Sequence, residues 1–235
     1  MKKKSLSIVW FKKDLRTHDH EPLYLASKEP NVACIYIYED ELINQEHYTY
    51  RQIHFLNESL KHLDSDLKDI GSRLNLFRGD IESVFNSINQ NFNIEKIFSH
   101  QETGELKSFS RDRRAATLFK SQSIIWNESQ SNGVFRGLKN RDDWTKKWNA
   151  YMFKERIHNP VIKHCVLLDN TVPIQTPRDF NKRDGLMPVD AGYKNALLNL
   201  NTFLDERSVS YSSEMSSPNT AYLSCSRLSA NLSHG

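Results

Sequence analysis

The sequence has only three cysteines, Cys34, Cys165 and Cys225, in 235 residues. They are odd in number, widely spaced and never form a C-x-x-C pair, which argues against a disulfide framework and against a zinc site. A reducing, cytoplasmic setting suits such a chain. Long apolar runs are lacking as well. Leu6 to Phe11 follows Lys2, Lys3 and Lys4, but Ser7 interrupts it and Lys12 and Lys13 end it, so it is too short for a signal core or a membrane span. Charge of one sign is not dominant either: 32 basic residues against 29 acidic ones leave a net charge of +3. That excludes a dedicated nucleic-acid coat, and any DNA affinity must come from a local patch. Finally, no G-x-G-x-x-G occurs, so the dinucleotide fingerprint is absent.

What is present is ordinary globular material, 38% hydrophobic and 26% charged. Leu6–Phe11 and Val32–Tyr38 are short apolar runs rich in β-formers, as expected of strands buried on both faces. Arg73–Phe77, Lys96–Ser99 and Ser123–Trp126 continue the series. Between them lie helical patterns. Ile53, Leu56, Leu60, Leu63 and Leu67 step by three or four, and Gly71 can end that helix. Asp80 is placed to cap a helix carrying Ile81, Val84, Phe85 and Ile88, and a helix over Leu106 to Lys120 carries Phe109, Ala116 and Phe119 on one side. Strand and helix alternate, which predicts an α/β fold with a doubly wound, five-stranded parallel sheet over residues 1–130. Residues 131–190 read as a linker with one or two short helices, punctuated by Pro160, Pro173, Pro177 and Pro188. From 191 to 235 a helical pattern returns through Ala196, Leu197, Leu200 and Leu204. Left exposed, that stripe favours aggregation or a partner.

Several constellations invite chemistry. Lys12, Lys13 and Arg16 follow the first strand, at the carboxyl edge where open α/β sheets bind ligands. They suit a phosphate, an acidic antenna cofactor or a domain partner, or else form a solvated loop in which Asp14 pairs with a neighbouring Arg or Lys. His18, Asp19 and His20 define no coordination geometry, and no metal is expected. Glu102-Thr103-Gly104-Glu105 follows the fourth strand, again at the sheet's carboxyl edge, with Arg111, Arg113 and Arg114 shortly after; the loop is polar in a way that suits an acidic ligand, and helix capping with surface ion pairs is the plainer account. Trp144 and Trp148 flank Lys146 and Lys147, a face that meets DNA or docks a linker helix. Ser224 to Ser229 gathers hydroxyls around Arg227 where a helix begins, a weak phosphate-cradle signal.

Together these segments carry a resemblance. Val9-Trp10-Phe11-Lys12-Lys13-Asp14-Leu15-Arg16, then Asp19-His20 and Leu23, resembles the opening of photolyases and cryptochromes. Glu102-Thr103-Gly104 with Arg111-Asp112-Arg113, the Gly192 to Arg207 helix and Cys225-Ser226-Arg227-Leu228-Ser229 agree in order. The resemblance implies an α/β domain able to hold an antenna folate or deazaflavin, followed by the start of an all-helical FAD-binding domain. It implies a deoxyribodipyrimidine photolyase, repairing pyrimidine dimers in DNA by electron transfer from excited FAD, or a cryptochrome that signals without repair. A stand-alone antenna-binding α/β module is the third reading. Tyr211, Cys225, Ser226, Arg227, Leu228 and Ser229 are the expected flavin contacts, with Cys225 in place of the usual Thr. The family's "SRLSP-x-LA-x-G" reads here Ser226-Arg227-Leu228-Ser229-Ala230-Asn231-Leu232-Ser233-His234-Gly235, without the proline. The catalytic half is expected beyond Gly235, so no residue here is assigned a catalytic role and the 235-residue chain alone is expected to be inactive.

Overall fold

The computed structural model describes residues 3–45, 48–174 and 190–235. Lys2, Pro177 and Pro188 lie outside the described residues. Five strands, β1 (Lys4–Phe11), β2 (Val32–Tyr38), β3 (Leu74–Arg78), β4 (Phe92–His100) and β5 (Ile125–Ser129), form one parallel sheet in the order β3-β2-β1-β4-β5. The expected doubly wound sheet is therefore present. β3 and β5 begin one and two residues later than the apolar runs suggest, and β4 is longer at both ends.

The two faces of the sheet bury different cores because successive side chains alternate. Leu6, Ile8 and Trp10 of β1 point to the face covered by α4 (Ile81–Asn91) and α5 (Leu106–Ser121). Val9 and Phe11 point to the face covered by α1 (Glu21–Ala26) and α3 (Tyr50–Asp69). The short α2 (Asp40–Ile43) follows β2. Asp80 caps α4 as expected, accepting from the Ser83 N–H at 2.8 Å. A Trp10, Phe85, Phe119 and Trp126 cluster packs edge to face at 4.8–6.3 Å between most of its rings, a geometry aromatic quadrupoles favour.

The face of α5 differs from the expected one. Phe109 and Ala116 are exposed, and the buried stripe is Ser108, Arg111, Asp112, Ala115 and Phe119. A charged pair replaces apolar residues on that stripe, which hydrophobic periodicity cannot register.

Beyond the sheet, α6 (Trp144–Met152) is the one helix of the described part of residues 131–190. Residues 162–174 run back over the sheet: Cys165 forms a parallel bridge with Val32, and the Leu168 N–H donates to the Asn75 side chain at 2.8 Å. Gly71 makes this approach possible. Its φ is +82°, and a Cβ there would stand 2.7 Å from the Ile162 carbonyl oxygen. Gly71→Ala is expected to cost about 2–3 kcal/mol, from left-handed backbone strain together with displacement of that strand-like segment; urea unfolding measures it. The chain then forms α7 (Tyr193–Asp205), a 3-10 turn at Arg207–Ser210, α8 (Tyr211–Glu214), α9 (Ala221–Ser224) and α10 (Ser229–Ser233). Of the α7 stripe, Leu197 and Leu204 are exposed, while Ala196 and Leu200 are half-buried.

Candidate functional site

The sheet order makes the site. β1 leads to α1 on one face and β4 leads to α5 on the other, so the loops after these adjacent strands diverge and leave a crevice at their carboxyl ends. A cavity of about 320 Å³ lies there, lined by Lys12, Lys13, Asp14 and Arg16 from one loop and by His100 to Gly104 from the other. Ser131 and Asn132 follow β5 into its wall, and the end of α10 closes it from above. The Leu15 N–H donates to the His234 carbonyl at 2.7 Å, tying that segment to the first loop.

Asp14 organises the crevice floor, and it does not pair with a neighbouring Arg or Lys as a solvated loop would have it. It is buried, and His20 Nε2 and His100 Nδ1 both donate to its Oδ2 at 2.8 and 2.7 Å. The Lys12 N–H donates to Oδ1 at 2.8 Å. Burial alone pushes the Asp14 carboxyl up, but the hydrogen bonds from His100 and His20 outweigh it and hold the group well below its usual range. His20 has no spare nitrogen: its Nδ1 caps α1 by accepting the Leu23 N–H at 3.1 Å. That fixes Nε2 as the donor, and burial pushes the ring down to about 4, so it stays neutral. Asp14, His20 and His100 offer three ligand atoms within 4.8 Å. Those same atoms are bonded to each other, and a cation would have to displace both hydrogen bonds. His18 and Asp19 stand apart from the trio: His18 stacks on Tyr193 at 4.3 Å, and Asp19 accepts the Ile157 N–H.

A second charged cluster lies beneath. Arg111 is fully buried rather than on the surface, where simple ion pairing placed it. Its guanidinium lies 4.8 Å from the Trp10 ring centre, donates to Glu39 and Glu102, and forms an ion pair with Asp112 at 2.8 Å. Lys12, also buried, approaches Asp112 at 3.4 Å and the Trp10 ring at 5.0 Å. Arg136 reaches Asp112 and Glu128 from after β5. One Arg is shared by three carboxylates, so it is held firmly charged while Glu39 is not. Burial, reinforced by Glu102, Glu41 and Asp112 against the pull of Arg111, pushes Glu39 up to about 7. Arg114 does make the expected surface pairs, with Glu41 and Glu82.

Lys13 and Arg16 remain as the cations facing the crevice. Lys13 is partly exposed and stands 3.7 Å from Glu102. The lining carries Lys12, Lys13 and Arg16 against Asp14 and Glu102, so the walls favour a ligand with negative charge. Sequence reasoning missed His100 and Glu39. Each directly follows an apolar strand run at the carboxyl edge, and that position is the signal that points to them.

The expected flavin contacts sit elsewhere. Tyr211 opens α8 and packs edge-on to Phe203 at 5.8 Å. Cys225 caps α9, and its carbonyl accepts from Arg207. Arg227, at φ +61°, folds back so that its guanidinium covers the Tyr222 ring at 4.0 Å. Leu228 caps α10, which Ser229 begins. The structure brings Cys225 to Ser229 together as one turn, with Tyr211 on a separate helix.

Trp144 and Trp148 pack with their rings tilted by 34° at 6.1 Å on α6, and Trp148 fills the space beside Gly133, where a Cβ would meet its ring at 2.2 Å. Among the described residues no helix is long and apolar enough to cross a membrane.

Cryptochrome DASH of Synechocystis sp. is 33% identical over 101 residues, 40% of this chain and 21% of that protein. The (6-4)DNA photolyase of Arabidopsis thaliana is 31% identical over 107 residues, 41% and 19% of the two chains. In structure, the Agrobacterium tumefaciens class III photolyase superposes with a TM-score of 0.73 at 19% identity, covering 97% of this chain and 50% of that one. The Sulfolobus tokodaii photolyase, solved with two FAD molecules, gives 0.62 at 21% identity over 83% and 46%. The chain thus spans about half the length of these solved proteins and about a fifth of these curated relatives. The family model for DNA photolyase matches residues 7–147, more than half of the 235, and takes in both the strand-end loops and the Arg111 cluster: the chain belongs to the DNA photolyase family.

Proposed function

We propose that this chain is the chromophore-holding part of a light-driven, photolyase-like flavoprotein, and that the switch-point crevice takes an acidic antenna of the folate or deazaflavin class. The observation that carries the reading is the 320 Å³ cavity lined by three cations, Lys12, Lys13 and Arg16, against two carboxylates, Asp14 and Glu102. His100, fixed by Asp14, presents its remaining edge to the same space. In this reading Lys13 and Arg16 attract the anionic part of the ligand, the Gln101–Gly104 backbone lines its other side, and the α10 end excludes water. A bound antenna supplies absorbed light energy. The residues here orient it and keep its charge compensated.

Repair of pyrimidine dimers in DNA by electron transfer from FAD is the activity we assign to the whole protein. Tyr211 and Cys225 to Ser229 are proposed as its flavin-phosphate contacts. The Ser226 and Ser229 hydroxyls stand on either side of Arg227 in sequence, at the turn that opens α10, a composition that suits a phosphate. Arg227 is spent on Tyr222, and an enclosed ring pocket is not built by these six residues, so the chain alone is proposed to be inactive in repair. A signalling role without repair is the second reading, supported by the cryptochrome names among the curated relatives, Cryptochrome-1 of Anopheles gambiae included. DNA is the partner in the first reading.

The test is the ultraviolet and visible absorption spectrum of the purified chain, before and after denaturation, with added folate where none co-purifies. A folate or deazaflavin band is expected. Lys13→Glu with Arg16→Glu should weaken that binding at least about tenfold, since each charge-assisted contact contributes roughly 1.5–3 kcal/mol. A bare protein spectrum that added folate does not change would overturn the antenna assignment.

A further inference from the structure

The tryptophans of α6 face the protein, not the solvent. Trp148 lies against Gly133, the Tyr151 hydroxyl donates to the Gln130 carbonyl at 2.8 Å, and the Arg141 guanidinium lies 5.6 Å from the Trp144 ring centre. Residues 144, 148 and 151 fall on one side of the helix, at spacings of four and three, so that side docks α6 on the loop after β5. The opposite side carries Lys146, Asn149, Ala150 and Phe153 at the same spacings, with Lys147 and Lys154 beside them, and all six are exposed.

Charge is concentrated on this segment. From Lys139 to Arg156, six cations (Lys139, Arg141, Lys146, Lys147, Lys154 and Arg156) stand against three acids (Asp142, Asp143 and Glu155), a surplus of +3. The whole chain carries +3, so all its other residues together sum to zero. All six cations are exposed. Among the described residues none of them forms an ion pair, whereas on the sheet domain Lys61 pairs with Glu58, Lys68 and Arg73 with Asp64, and Arg78 with Asp40. Asp142 and Asp143 precede the amino end of α6, where the helix dipole favours acids, so the cations own the rest of the helix. Apolar groups stand among them at its carboxyl end, where Phe153 is 83% exposed and Met152 50%.

We propose that the outward face of α6 is a docking surface for an anionic lipid bilayer. A row of cations by itself suits any polyanion, and the apolar tip narrows the choice. Nucleic-acid phosphates meet the lysines but leave Met152 and Phe153 in water unless bases stack on the ring, and the two tryptophans best suited to stacking are docked inward. A bilayer meets both features: headgroups face Lys146, Lys147 and Lys154, and the boundary with the acyl chains takes Phe153 and Met152. The contact is peripheral, since among the described residues no helix is long and apolar enough to cross a membrane.

Co-sedimentation of the full 235-residue chain with vesicles tests this. Binding is expected to phosphatidylcholine vesicles that contain phosphatidylglycerol, and not to phosphatidylcholine alone, and it should weaken as salt rises. Lys146→Gln, Lys147→Gln and Lys154→Gln together should weaken it roughly a hundredfold, at about fivefold for each charge. Phe153→Ser should weaken it about tenfold or more with the charge unchanged. All four positions are exposed, so Tm should not move. No binding to the anionic vesicles, equal binding to the neutral ones, or full binding by the triple variant would each overturn the proposal. Unchanged binding by Phe153→Ser would overturn it as well, and displacement of that variant from the vesicles by a mixed-sequence oligonucleotide would then mark the face as one for nucleic acid.

Discussion

Replacing Asp14 by alanine is expected to lower the unfolding free energy by about 3–5 kcal/mol at pH 7, a large part of what holds a domain of this size together. The carboxylate accepts three hydrogen bonds, from His20, His100 and the Lys12 backbone, all buried. Alanine leaves all three donors unmet, one of them on a ring that cannot turn away: His20 is pinned by the Leu23 N–H and by Phe11 at 4.9 Å. The sign of the pH response follows from the same groups. His20 titrates near 4 folded and near its ordinary value, about 6.5, unfolded, so the unfolded chain takes up the proton first. Stability tied to His20 is full above about pH 6.5 and is lost as pH falls to 4, by roughly 3 kcal/mol. The Asp14 contribution is intact above about pH 4 and is lost only below that, as its depressed folded value is reached. Asp14→Ala should therefore keep the acid lability between pH 6.5 and 4 but lose the further drop below it. Urea midpoints across that range check both statements, and a variant within 1 kcal/mol of the original chain would show that the trio is incidental.

The sheet was legible because strands buried on both faces are written as unbroken apolar runs, and Val32–Tyr38 is buried along its whole length. The stripe of α3 was legible for the corresponding reason, at helical spacing. The charged floor of the crevice was not. Asp14 and His100 are 86 residues apart and Arg111 and Glu39 are 72 apart, so nothing local marks them as partners. The buried face of α5 was misread for the same cause: Arg111 and Asp112 look like solvent-facing residues until three other strand ends supply their counter-charges. The loops after β1 and β4 were identified as a ligand edge from topology alone, since carboxyl-end loops at a switch point leave a crevice whatever they contain. The chemistry inside it depended on tertiary packing.

Arg111→Met tests that packing most directly. The substitution keeps the aliphatic stem but removes the guanidinium, and with it both the contact over Trp10 and the charge shared by Glu39, Glu102 and Asp112, leaving Lys12, Lys13 and Arg136 against three carboxylates that are largely buried. A loss of about 3–5 kcal/mol is expected at pH 7.5, the range for breaking a buried ion pair from one side. Acid should relieve it. Glu39 already titrates near 7 beside Arg111, well above its unfolded value of about 4.3, so the stability tied to it is full below pH 4.3 and is lost as pH rises through 7. Without Arg111 the carboxyl holds its proton to still higher pH, and at pH 5 the variant needs no counter-charge there. The gap between Arg111→Met and the original chain should then shrink by about half or more between pH 7.5 and 5, against the opposite trend that His20 imposes on both proteins. An equal gap at the two pH values would mean that Arg111 acts through its stacking on Trp10, and that the three carboxylates are neutralised by Lys12 and Arg136 without it.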